Sequence, residues 1–110
     1  MTGRLTQPQL KKYDVTQKDI EMLADAESRA ILFSIIKKGK TAAELSNKHK
    51  IPLSSVYKKI SDLQELTLIK IDSWHISEKG RRFKVYKSRI KYAEINIKKP
   101  DPILKLTPNK

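Results

Sequence analysis

Few side chains in this sequence are equipped to make or break bonds. The two histidines, His49 and His75, fall in different elements, one expected to bond a carbonyl at a helix end and the other to be solvated. No cysteine is present, which excludes thiolate nucleophiles, disulfide scaffolds and thiolate metal sites. No Ser/His/Asp set, phosphate-cradling glycine loop or carboxylate pair in a cleft can be assembled, so neither an enzyme activity nor a cofactor is expected. What the sequence offers instead is positive charge. Lysine and arginine number 24 against 12 acids, a formal +12 on 110 residues. Solubility asks for a net charge of only ~2–8 on a small domain. The chemistry implied is Coulombic recognition of a polyanion, most simply nucleic acid.

The charge is carried in blocks. Residues 37–60 hold +6, seven lysines against Glu44 alone, and residues 73–99 hold +7. The segments 21–36 and 61–72 are each −2. Two basic blocks around an acidic spacer suit two elements that face one polyanion. The length fits one domain, and 38% hydrophobic residues allow one modest core with polar ends. No apolar run approaches the ~20 residues of a membrane span. No apolar core follows Met1-Thr2-Gly3-Arg4, so no secretory peptide is expected and a cytoplasmic, nucleoid-associated place is inferred.

The elements that must position these charges can be read along the chain. Residues 1–15, with Gly3 and Pro8, read as a flexible arm. Thr16 is a candidate cap for a short helix over 17–24, with Ile20, Leu23 and Ala24 as its stripe. Asp25 caps a second helix over 26–38, with Ala30, Ile31, Phe33, Ile35 and Ile36 as its buried set and Gly39 as a left-handed C-terminal cap. Thr41-Ala-Ala-Glu44 fits a capping box that opens a third helix ending near His49. Lys50-Ile51-Pro52 makes a tight connection to a fourth helix over 53–65. At 100° per residue its buried stripe is Val56, Ile60 and Leu63, with Ser54, Lys58, Ser61 and Glu65 opposite. The period then changes. Residues 68–71 and 82–88 read as antiparallel strands joined by a long basic loop over 74–80, in which Trp74 anchors the hairpin by packing. Residues 92–97 suit a third strand, and 98–110, with three prolines, a tail.

Helix, helix, tight turn, helix and basic hairpin is the order of a winged helix-turn-helix. The chain resembles transcription regulators of the arsenic-repressor (ArsR) type, especially the archaeal helix-turn-helix proteins. The resemblance rests on LADAESRAILFSII (23–36), KTAAELSNKHKIPLSSVYKKISDLQELTLIK (40–70) and GRRFKVYKSRI (80–90). It implies an α+β fold of three to four helices plus a β-hairpin wing, occupying 16–97. The cysteines of the metal-sensing branch are missing from Thr41-Ala-Ala-Glu-Leu45, which removes thiolate sensing. Thr67 stands where the family usually has glycine, so a different exit into the first wing strand is expected.

By the same resemblance the early positions of the fourth helix contact DNA: Leu53, Ser54, Ser55, Tyr57 and Lys58. The serines can bond bases or phosphates or cap the helix, Tyr57 can stack on sugar or a thymine methyl, and Lys58 can reach guanine or a phosphate. Lys59 lies nearer the buried stripe and would snorkel to a phosphate. Thr41 joins the site at the start of the third helix. In the wing, Lys79, Arg81, Arg82 and Lys84 are the phosphate candidates. The partners expected are double-stranded DNA and a second copy of the chain, the dimer resting on Ile20, Met22 and Leu23 and on residues 90–97. Two other readings use the same features: a nonspecific architectural DNA-binding protein and a protein-interaction module of the transcription machinery. RNA binding is disfavoured by an aromatic content of 6%.

Overall fold

The computed structural model describes residues 7–97 and 102–109, with side chains described from Thr16 onward. Four helices, α1 (Gln7–Ala24), α2 (Ala26–Ser34), α3 (Ala42–His49) and α4 (Leu53–Glu65), precede four strands, β1 (Ile69–Ile76), β2 (Arg82–Ser88), β3 (Ile90–Asn96) and β4 (Ile103–Pro108). The strands form two antiparallel pairs, β1 with β2 and β3 with β4. The expected α+β fold of helices and wing is present, with one more hairpin than the sequence suggested.

The core forms where the helical stripes converge. Ile31, Leu32 and Ile35 from α2 and its C-terminal cap, Leu45 from α3, Val56, Ile60 and Leu63 from α4, and Leu68 are all essentially sealed from water. The expected stripe of α4 is found intact. That of α2 is rotated: Leu32 is buried, while Phe33 only packs against the rim of the core. The buried positions Ser28, Ile31, Leu32 and Ile35 follow the i, i+3, i+4, i+7 spacing of one helical face, which leaves Phe33 at its edge, and α2 stops at Ser34, four residues before the expected end. Gly39 is not its left-handed cap. A Cβ there would stand 2.6 Å from Val85 Cγ1 and 3.1 Å from the Tyr86 carbonyl oxygen. Gly39 therefore serves close approach of two backbones. Beside it Lys40 N–H donates to Tyr86 O (3.1 Å) and Tyr86 N–H to Lys40 O (2.8 Å), tying the α2–α3 connection to the inner edge of the wing.

The junctions are held by side chains whose types were visible in the sequence. Asp25 accepts from Ser28 N–H (2.9 Å) and Ser28 Oγ (2.6 Å), capping α2. Four residues on, Arg29 donates to the Leu23 and Ala24 carbonyls and closes the end of α1. The Asp25 carboxylate also accepts from Lys59 Nζ of α4 at 2.8 Å, so it joins two helices. The capping box of Thr41 and Glu44 is complete. Lys50 takes the left-handed conformation (φ +53°) that turns α3 into α4.

Thr67 overturns the expectation attached to it. It adopts the left-handed backbone (φ +59°) that glycine would have taken without strain. Thr67 N–H donates to Gln64 O and Leu68 N–H to Leu63 O, both at 2.9 Å, and Leu63 and Leu68 are both buried. That is a Schellman closure of α4 with its accompanying apolar contact. The hydrogen bonds and the burial of Leu68 hold a β-branched residue where it is intrinsically disfavoured.

Other expectations need correction at the ends. α1 starts at Gln7, ten residues earlier than expected, so Thr16 lies inside it and part of the expected arm is helical; residues 1–6 lie outside the described ones. Pro8 sits in the first turn, where no amide is required of it. Leu23 is buried in the core, which removes it from any surface between copies. Trp74, His75 and Ile76 belong to β1, paired with Lys84, Phe83 and Arg82, and the loop shrinks to 77–81. The expected tail contains β4, whose Leu104, Lys105 and Leu106 pair with Ile95, Glu94 and Ala93. Asn109 clamps the base of this second hairpin, its Nδ2 donating to Ile36 O (2.8 Å) and Ser88 O (2.9 Å). The described part of the fold is elongated, with extents of 59 × 27 × 25 Å.

Two outcomes follow from these junctions. Thr67→Gly should raise stability by about 1 kcal/mol, since relief of the left-handed strain outweighs the added freedom of the unfolded chain; thermal unfolding followed by circular dichroism measures it. Asp25→Ala should cost about 1–2 kcal/mol at neutral pH, mostly as the lost cap, because the ion pair with Lys59 is open to water. Hydrogen bonds from Lys59 and Ser28 hold the Asp25 carboxyl down to about 2. Its unfolded value is about 4. A depressed carboxylate stabilises above its unfolded pKa and ceases to as pH falls through its folded one. The gap between wild type and variant in urea unfolding should therefore narrow from about pH 4 down to pH 2.

Candidate nucleic-acid interface

The exposed side of α4 has two flanks, one cationic and one in which charges compensate each other. One flank looks across a groove of about 510 Å³ to the wing. Leu53, Tyr57, Ser61 and Gln64 line it from α4, Thr41 and Ala43 from α3, and Trp74, Arg81, Arg82, Phe83 and Lys84 from the wing. Ile60 and Tyr86 belong to its wall and are buried. Arg81, Arg82 and Lys84 are its charged residues, and no acid is among the residues that line it. Leu53, Tyr57, Trp74 and Phe83 are all exposed large hydrophobics, with Tyr57 and Trp74 each 52% accessible.

The groove is shaped by pairing and by packing. Opposite residues of the hairpin share a face, so Trp74 and Lys84 stand side by side, with Arg82 one step further along β2. Arg82 Cζ and Lys84 Nζ lie 5.8 and 5.5 Å from the centre of the Trp74 ring, within cation–π range. A bulge between Ile71 and Ser73 resets the register of β1 before Trp74. At the tip, Ser77 N–H donates to Arg81 O (2.8 Å), Gly80 N–H to Ser77 O (2.9 Å) and Arg81 N–H to Ser77 Oγ (3.1 Å). Gly80 supplies the positive φ (+78°) of this turn.

The second flank is neutralised. Ser54, Ser55, Lys58 and Lys59 line a smaller cleft with Asp25, Glu27 and Asp62. Lys59 Nζ sits 2.8 Å from Asp25 Oδ2 and 3.6 Å from Glu27 Oε1, and the Asp25 bond raises its pKa. Lys59 is thus engaged within the protein, where the sequence suggested a reach to phosphate. Lys58 pairs with Asp62 at 3.0 Å but is 75% exposed, and such a surface pair contributes little.

The structure therefore divides the expected site residues. Thr41, Leu53, Tyr57, Arg81, Arg82 and Lys84 come together in one groove. Ser54, Ser55, Lys58 and Lys59 occupy the opposite flank, and Lys79 lies at the wing tip beside Glu78. Thr41 uses its hydroxyl to accept from Glu44 N–H at 3.2 Å while lining the groove. Ser54 and Ser55 do not cap α4, whose N-cap is Pro52 with no side-chain hydrogen bond. Ser61, Gln64, Trp74 and Phe83 were missed as groove residues. The signal for the first two was available, since Leu53, Tyr57, Ser61 and Gln64 fall within 80° on a helical wheel. Trp74 was expected to pack, because the loop assigned to it hid its place on an open strand face. His49 is the histidine near a helix end, yet its Nε2 is buried with no partner among the described residues, and burial, then Lys48 and Lys40, lowers its pKa.

No family model and no curated protein matches the chain by sequence. Among solved structures it is similar to NolR from Sinorhizobium fredii, with 18% identity and a TM-score of 0.58 over 79% of this chain and 81% of that one. NolR has a winged-helix fold. The helix order, the tight α3–α4 connection, the β1–β2 wing and this likeness agree that the chain folds as a winged helix.

Proposed function

We propose that the chain is a sequence-specific regulator of transcription that binds double-stranded DNA, of the ArsR-like type found among archaeal helix-turn-helix proteins. The observation that carries this reading is the groove with three cations and no acid, set between α4 and the wing. α4 enters the major groove, where base edges present a distinguishable code, and the wing reaches across the adjacent phosphates. On that docking the backbone of one strand crosses between α4 and the wing. Leu53, Tyr57 and Ser61 face bases or sugars, and Arg81, Arg82 and Lys84 neutralise phosphate. The uncapped start of α4 leaves amides for a further phosphate. The winged-helix fold shared with NolR supports the same direction. No helix among the described residues is long and apolar enough to cross a membrane.

The protein acts in this reading as a homodimer joined through β3 and β4. Ala93, Ile95, Leu104 and Leu106 share one face of that ribbon, with Glu94 and Lys105 on the other. Ile95 and Leu106 are exposed, and a lone two-stranded ribbon is marginal without cover. A two-fold dimer sets recognition helices ~34 Å apart on a pseudo-palindromic site.

Selection from a random duplex pool near physiological salt tests the whole reading. An enriched two-fold motif is the expected result; binding without enrichment would favour the architectural alternative, and no binding would point to a protein partner. Arg82→Ala should weaken binding to every duplex and reduce the salt slope by about 1, whereas Lys59→Ala should lower stability and leave the slope unchanged. Ile95→Lys should leave light scattering with monomer alone at concentrations where the wild type dimerises.

A further inference from the structure

The groove between α4 and the wing is unusual for a surface that only tracks phosphate. A phosphodiester asks for cations and hydrogen-bond donors, which Arg81, Arg82 and Lys84 supply. It does not ask for a half-exposed tryptophan facing a half-exposed tyrosine. Trp74 is the sole tryptophan of the chain, and half of its surface is open to water. Exposing so much aromatic area costs free energy that a folded domain ordinarily recovers by packing. The hairpin could have packed this ring, but the bulge at Ile71/Ser73 and the antiparallel register put it on the groove side, beside Lys84 and Arg82. Tyr57 presents a second exposed ring from α4, and Leu53 and Phe83 extend the apolar lining. Rings flanked by cations, with no acid among the residues that line the groove, have one natural complement in a polyanion: a base with its π-face uncovered. In an intact duplex those faces are stacked on one another and unavailable.

We propose that this groove is a binding site for an unpaired nucleobase of a DNA strand. Trp74 is the stacking platform, Tyr57 and Phe83 bound the slot, and Arg81, Arg82 and Lys84 hold the flanking phosphates. The inference rests on the DNA-binding reading above and sharpens its substrate: the chain favours duplex that carries a single-stranded tail, mismatch or opened segment over uninterrupted duplex. The preference is tolerant of sequence, since every base has a π-face. It is confined to the wing side of α4, because the opposite flank is occupied by Asp25, Glu27 and Asp62.

Trp74 reports its own occupancy by fluorescence. The full chain is titrated with a short oligothymidylate, with a blunt duplex, and with the same duplex bearing an internal run of unpaired thymines. Oligothymidylate and the interrupted duplex should quench Trp74 saturably, and the interrupted duplex should bind more tightly than the blunt one. Trp74→Ala should lose about tenfold in affinity for oligothymidylate by anisotropy, several-fold more than it loses on the blunt duplex. Trp74→Phe, which keeps a ring and guards against a folding defect, should retain most of the oligothymidylate affinity. Absence of quenching, equal loss on both probes in Trp74→Ala, or tighter binding of oligouridylate than oligothymidylate would each overturn the proposal. If oligothymidylate quenches and binds while no blunt duplex binds, the duplex-regulator reading fails and this one stands. Blunt-duplex binding with an unquenched Trp74 does the reverse.

Discussion

The arrangement of the helices depends on one carboxylate. Asp25 takes hydrogen bonds from the backbone and hydroxyl of Ser28 and from the ammonium of Lys59. The first two start α2 and the third pins α4 to that start, while Arg29, one helical turn on, closes α1. Three helices thus meet over a span of five residues, 25–29. Side-chain oxygen is suited to this junction because helix starts leave amide hydrogens unsatisfied and concentrate positive potential, so the same carboxylate satisfies geometry and charge at once. Apolar burial supplies most of the stabilisation, but it is non-directional and would tolerate other crossing angles. The buried stripe of Val56, Ile60 and Leu63 sets which way α4 is turned on its axis, and the Asp25 bond to Lys59 then settles which charges its near flank leaves free.

That rotation decides the chemistry of the surface. With Lys59 drawn to Asp25 and Glu27, the cations on one flank of α4 are compensated at source. The uncompensated positive field shifts to the wing side, where the bulged β1 strand delivers Trp74, and β2 delivers Arg82 and Lys84, to the same face. An excess of +12 spread over the chain would attract any polyanion without orienting it. One neutral flank and one cationic flank give a preferred pose, and shape and aromatic lining then select within it.

Much of this was legible in the sequence, and where it was not the reasons are physical. α3 and α4 fell where expected to the residue, because a capping box, a proline and a clean helical stripe all speak locally. Signals that depend on distant partners misled. Gly39 looked like a helix cap and is instead a contact with β2, which no neighbouring residue announces. Thr67 looked incompatible with a left-handed turn, yet Leu68 burial and two hydrogen bonds impose it. β4 was hidden among prolines, although its partner β3 is close by, because the clamp from Asn109 to Ile36 that anchors this hairpin reaches far back in the sequence. In the site, residue types marked the candidate cations but could not say which of them acids already held. Lys59 and Arg82 are equivalent in a charge count and opposite in role once Asp25 and Trp74 are placed beside them.

The elongation of the molecule bears on how it moves. Its long axis exceeds twice either short one, and its radius of gyration is 16.1 Å. A compact globule of this length would have a radius of about 13 Å. Rotation about the long axis is therefore faster than end-over-end tumbling, and spin relaxation must differ between bond vectors lying along that axis and across it. The same shape enlarges the hydrodynamic volume, so a single copy migrates through a porous medium as a heavier sphere would.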